Sequence, residues 1–94
     1  MISEVTHVKN KAGIHARPAV TIVETAGLFS SEIFIIKDGV RANAKSILNI
    51  LSLAASCGTE IVLEVEGEDE AKALSTMLTL FENEFHVDKE ADIF

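Results

Sequence analysis

At 94 residues, 48% of them hydrophobic, the chain has the size of one compact domain with a single core. Acidic groups outnumber basic ones 15 to 8, and the resulting formal charge of −7 disfavours nucleic acid and anionic membranes as partners. One cysteine, Cys57, excludes an intrachain disulfide and a cysteine-type zinc site.

The first strand is expected over 2–8, although its alternation is ambiguous, and 10–13 read as a loop. Ala19, Ile22, Val23 and Ala26 recur at i, i+3, i+4 and i+7, which predicts an amphipathic helix over about 16–26. Pro18 suits the first turn of that helix, and Gly27 is placed to end it. A β-branched run at 32–37 predicts the second strand, and Asp38-Gly39 predicts a tight type I′ turn into a third near 40–44. Ser46 is positioned to cap a second helix reaching about Leu53, with Gly58 in the turn beyond it. Ile61, Leu63 and Val65 alternate with Glu60, Val62, Glu64 and Glu66, giving a fourth strand with one solvated side. Asp69 is a candidate cap for a last helix with the core stripe Leu74, Met77, Leu78, Phe81 and Phe85.

The order βαββαβα, with one hairpin and strands that are polar on one face, predicts an α+β fold. It would be an open-faced two-layer sandwich, a four-stranded antiparallel sheet covered on one face by three helices. Residues 1–86 form the expected domain. Residues 87–94 carry Asp88, Glu90, Asp92 and the terminal carboxylate against Lys89, and read as an acidic tail. The N-terminal residues lack a basic leader, and the most apolar window, 47–55, is too short to cross a bilayer. With the lone thiol, this makes a cytoplasmic location the expectation.

The most informative segment is Gly13-Ile14-His15-Ala16-Arg17-Pro18-Ala19. It sets an imidazole at the mouth of the first helix, where unpaired backbone N–H groups and the positive end of the helix dipole favour an anion. Arg17 adds a planar, permanently charged donor suited to phosphate oxygens. An imidazole attacks phosphorus only when uncharged. His15 is therefore read as a carrier of a phosphoryl group, with the backbone at Ala16 and the side chain of Arg17 stabilising the anion. A surface arginine and a simple capping histidine are the ordinary alternatives. No residues call for a cofactor or a metal ion, and the acidic strand residues Glu60, Glu64 and Glu66 read as a solvated face. His7, His86 and Cys57 read as surface or turn residues without chemistry.

The second helix holds Ile47, Leu48, Ile50, Leu51 and Leu53, too many apolar residues for a helix buried on one side. Ile50, Leu53 and Ala54 are the expected buried stripe. Ile47, Leu48 and Leu51 would then be exposed near Ser46 as a docking patch, extended by Val20, Glu24 and Gly27 on the first helix.

The segment at 13–19, together with Asn43-Ala44-Lys45-Ser46-Ile47-Leu48 and Leu51-Ser52-Leu53 at the family's spacing, resembles HPr. That is the histidine phosphocarrier of the bacterial sugar phosphotransferase system, and the resemblance runs from about residue 2 to 85. It implies that His15 accepts a phosphoryl group on Nδ1 from Enzyme I and passes it to IIA domains of transporters, with Arg17 beside the ring. It implies that Ser46 matches the serine modified by HPr kinase/phosphorylase in many bacteria. It also implies a carrier, monomeric and not an enzyme by itself. Two positions depart from the usual pattern: Ala54, where HPr proteins often have Gly, and Glu24, where they often have a basic residue. The nitrogen-branch paralogue NPr shares the histidine motif, and Leu80-Phe81-Glu82-Asn83-Glu84-Phe85 resembles its ending. Sugar branch, nitrogen branch and a non-phosphorylated protein-binding regulatory module remain three open readings.

Overall fold

A computed structural model describes residues 1–86, so the acidic tail at 87–94 lies outside the described residues. The chain forms β1 (Ile2–His7), α1 (Ala16–Ala26), β2 (Glu32–Lys37), β3 (Val40–Asn43), α2 (Ile47–Ser52), β4 (Glu60–Glu66) and α3 (Glu70–Glu82). The four strands make one sheet in the order β1-β4-β2-β3, with every neighbouring pair antiparallel. The expected βαββαβα sandwich is therefore the observed fold. Residue types explain much of this. Asp38 and Gly39 have φ of 50° and 80°, as a type I′ turn requires, and they close β2 onto β3.

The core lies between the sheet and the helices. Ile33 and Ile35 of β2 and Ile61, Leu63 and Val65 of the central β4 are buried beneath Ala19, Ile22 and Ala26 of α1, Ile50 of α2, and Met77 and Phe81 of α3. The ambiguous pattern of β1 has a topological cause. It is an edge strand with a solvated outer face, so Thr6 is buried while Val5 is half exposed.

Four expectations are corrected. The buried stripe of α3 is Ala73, Met77, Leu80 and Phe81, with Leu74 and Leu78 only partly buried, so the helix is rotated to bury the Ala73 and Leu80 positions in place of Leu74 and Leu78. Phe85 is buried, but beyond the helix. Glu84 and Phe85 take left-handed φ of 56° and 65°, the Phe85 N–H donates to the Leu80 carbonyl at 2.9 Å, and its ring meets Phe81 edge-on at 4.8 Å. Ala54 is exposed, with φ of 50°, and Ala55 takes its place in the core. Asp69 occupies the N-cap position of α3, yet its side chain makes no cap hydrogen bond. Its carboxylate instead accepts from the Ser30 and Ser31 N–H groups, both at 2.9 Å, and from the Ser31 hydroxyl. Those bonds hold the Asp69 carboxyl down at about 2, the Ser31 hydroxyl first and the Ser30 N–H next. Gly27 does end α1, though with an ordinary right-handed φ of −65°.

Two cross-links set the direction of the helices. At one end, Asp69 ties the start of α3 to Ser30 and Ser31, just past α1, while at the other a Lys9–Glu82 ion pair at 2.5 Å ties the end of α3 to the loop before α1. The two helices therefore run antiparallel. Lys45 Nζ donates to the Phe29 carbonyl at 2.8 Å, and the Ile14 N–H donates to the Ala55 carbonyl at 2.8 Å. Thus α2 also runs against α1, starting near its end and finishing near its start.

Candidate functional site

The loop that carries His15 is built from its backbone outward. Asn10 Nδ2 donates to the Gly13 carbonyl at 2.6 Å, and the Gly13 N–H donates to the Asn10 carbonyl at 3.1 Å. Gly13 has φ of +73°, and a Cβ there would lie 2.6 Å from the Ala55 carbonyl oxygen. Glycine is required on both counts, by conformation and by the close approach of the 55–56 backbone. Ile14 is buried and anchors the next residue. His15 then stands exposed, in extended conformation at the N-cap of α1.

The His15 ring makes no side-chain cap bond and has no hydrogen-bond or ion-pair partner among the described residues. Its carbonyl accepts from the Ala19 N–H at 3.0 Å, which opens the helix. The Ala16 and Arg17 N–H groups come before the first helical donor, the Ala19 N–H, and have no acceptor among the described residues. Pro18, buried in the same turn, has no N–H to satisfy. The free donors of this helix end are thus Ala16 and Arg17, beside an unencumbered imidazole. This is a place where an anion held on the ring would meet two N–H groups and a guanidinium.

His15 and Arg17 share one open groove that runs along α1 past Thr21 to Leu28, with Lys11 and Phe85 on its walls. Glu24 lines this groove as well, so it sits with His15. His86 is there too, contrary to the expectation of an isolated surface ring. The missed members (Asn10, Lys11, Thr21, Leu28 and Phe85) come from three chain segments, and only the Asn10-x-x-Gly13 turn pattern left a sequence signal. His7 is exposed, 3.7 Å from Glu60 across the β1–β4 pair. Glu64 is less solvated than expected, since Arg41 reaches it at 2.6 Å while lying 3.7 Å over the Phe34 ring. Cys57 is exposed in the turn before β4.

Ser46 caps α2: its Oγ accepts from the Asn49 N–H at 3.3 Å and from Asn49 Nδ2 at 3.1 Å. Within α2, Ile50 is fully buried, whereas Leu48 is 79% exposed and Ile47 and Leu51 are partly exposed. Val20, Glu24 and Gly27 of α1 are exposed as well. The antiparallel run of α1 and α2 sets Ser46 near the far end of α1, about 16 Å along an 11-residue helix from His15. The structure therefore joins His15, Arg17 and the Ala16 N–H in one site and leaves Ser46 at the other end of the apolar row.

Fold and site together define a small open-faced module that presents an exposed imidazole at a helix start, in an open groove rather than an enclosed pocket. Residues 2–83 match the family model described as the PTS HPr component phosphorylation site. The chain is 48% identical over 85 residues to the phosphocarrier protein HPr of Treponema pallidum, covering 90% of this chain and 97% of that protein. It is 43% identical over 84 residues to the HPr-like protein Crh of Bacillus subtilis, with 89% and 99% covered. The solved HPr of Thermoanaerobacter tengcongensis superposes with a TM-score of 0.88 at 43% identity, over 94% of this chain and 99% of that one. The chain belongs to the HPr phosphocarrier family of the phosphotransferase system.

Proposed function

We propose that this protein carries a phosphoryl group on His15 between Enzyme I and IIA-type acceptor domains. The carrying observation is the exposed, unbonded His15 ring beside the free Ala16 and Arg17 N–H groups and the Arg17 guanidinium, in a chain of this family. The ring nitrogen's lone pair forms the N–P bond while the bond from phosphorus to Enzyme I breaks, and that electron pair stays with Enzyme I. Arg17 and the two N–H groups hold the transferred oxygens, and transfer to the acceptor reverses the step. Because the site is open on one side, the rest of the catalytic machinery must come from the partner, which accords with a carrier that is not an enzyme alone. Partners dock on Ile47, Leu48 and Leu51 together with Val20, Glu24 and Gly27. A phosphate added at Ser46 by an HPr kinase/phosphorylase acts at this surface and not on the ring, because a helix length separates the two positions. The protein works as a cytoplasmic monomer. The test is incubation with Enzyme I, phosphoenolpyruvate and magnesium, read by intact mass. An acid-labile adduct lost in His15→Ala supports the reading; no adduct, or one retained in that variant, ends it.

A second reading is favoured by one observation, the 79% exposure of Leu48 beside a capping Ser46. It makes the chain a regulatory module that binds a protein through α2 without carrying phosphate on His15. Loss of partner binding in Leu51→Glu, with His15→Ala harmless to every function, would single it out.

A further inference from the structure

We propose that the open face of the sheet, on the side away from the helices, is a docking surface for a basic amphipathic helix of another protein. The proposal does not rest on the carrier reading, because it concerns the opposite side of the molecule. Strand alternation creates the surface. Ile33, Ile35, Ile61, Leu63 and Val65 point to the helices, so Phe34, Ile36, Val62 and Glu64 point away from them. Strand pairing then lines up their neighbours. Val5 faces Val62, Val62 faces Ile36, and Ile36 faces Arg41, one continuous row across all four strands. Strands about 4.8 Å apart make that row about 14 Å long. Val5 is 50% exposed. Phe34, Ile36 and Val62 are partly buried, yet they belong neither to the core nor to the hydrophobic residues packed against it. The result is an apolar band with a polar rim, the anatomy of a protein interface.

The charges around the band choose its occupant. His7 and Glu60 flank it on one side, and Glu64, Glu66 and Glu32 on the other. Glu66 and Glu32 are direct partners in the β4–β2 pairing, and like charges so placed repel. Neither has an ion-pair partner among the described residues. Arg41 is committed to Glu64, and the nearby Lys45 ammonium donates to the Phe29 carbonyl at 2.8 Å. A cation from outside would answer that repulsion. A second copy of the chain would set the same carboxylates against each other, and nucleic acid or anionic lipid would be repelled. A helix whose apolar stripe is edged by lysine and arginine fits both features. About ten of its residues cover the row, and its flanking cations meet Glu60 on one side and Glu66 with Glu32 on the other. Such a partner leaves the His15 face free.

The probe is a synthetic leucine–lysine peptide of about 14 residues, long enough to wind on contact, with leucines spaced i, i+3, i+4 and i+7. It is titrated into the full chain by NMR beside a scrambled peptide of the same composition. Shifts centred on the Val5, Phe34, Ile36 and Val62 amides, weakened by salt and by scrambling, are the expected result. Glu32→Gln with Glu66→Gln should weaken binding about fivefold. That variant removes a repulsion, so its melting temperature should not fall. Unchanged affinity in the variant, equal binding of the scrambled peptide, or shifts centred on α1 and α2 overturns the proposal. Saturating peptide should leave phosphorylation of His15 by Enzyme I at its original rate; slowed transfer puts the peptide on the His15 face and overturns the proposal as well. If no adduct forms even without peptide, the carrier reading fails, and the shifts and affinities alone decide the docking.

Discussion

The starts of α1 and α3 both place a titratable residue at the N-cap position, neither bonding its own helix, and the two are used in opposite ways. At α3 the Asp69 carboxylate is saturated by two N–H groups and a hydroxyl from the segment after α1, which locks helix to sheet. At α1 the His15 ring touches no polar partner, and two backbone donors beside it stay open. A side chain at that position whose bonds are all made elsewhere contributes stability and little else. A cap left unbonded gives up that stability and keeps a site at which an arriving anion meets donors already in place.

The sharpest way to break this contrast is His15→Ala. Phosphoryl transfer should be lost altogether, while the urea midpoint barely moves, because an exposed ring without partners contributes little to folding. A large fall in the midpoint would mean that the ring has a structural duty. Next comes Gly13→Ala, which forces a Cβ against the Ala55 carbonyl at a left-handed φ. A loss of about 2 kcal/mol in chemical denaturation is expected, together with slower phosphorylation as the loop shifts. Tolerance of alanine would show that the loop is looser than its hydrogen bonds suggest.

Asp69→Asn tests the other helix. The carboxyl is held at about 2 against an ordinary 3.8, so its ionised form favours the folded state. That contribution is complete above about pH 4 and is lost as the pH falls through about 2. The native chain should therefore out-last the variant near neutral pH, and the gap should close across that acid window without any change in phosphorylation by Enzyme I. A gap independent of pH would assign the effect to packing instead. The smallest expected change is a gain. Ala54 sits at φ of 50° with its side chain exposed, so Ala54→Gly should stabilise by about 1 kcal/mol. No gain in melting temperature would argue that the turn relaxes around alanine.

Local rules made much of this protein legible. The spacing of Ala19, Ile22 and Ala26 located α1 to the residue, and Asp38-Gly39 located the hairpin, because helix periodicity and turn chemistry depend on neighbours in the chain. The His15 motif was legible for the same reason, since an imidazole, a guanidinium and a proline all fall within four residues. The misplaced core stripe of α3 has a different cause. Apolar residues surround Leu74 to Leu80, and which of them faces the sheet depends on the rotation that lets Ala73 and Met77 fit under β1 and β4. Asp69 looked like an ordinary cap because its true partners, Ser30 and Ser31, lie 39 and 38 residues away.

By itself, then, the sequence determined the order of elements, the hairpin and the His15 motif, all products of interactions within a turn or two of chain. Only tertiary packing decided what surrounds the motif. Antiparallel α1 and α3 bring Phe85 and His86 into its groove, and antiparallel α1 and α2 hold Ser46 a helix length away. Side chains from distant segments meet only once the sheet has fixed where each helix starts and which way it runs, and no local pattern encodes that distance.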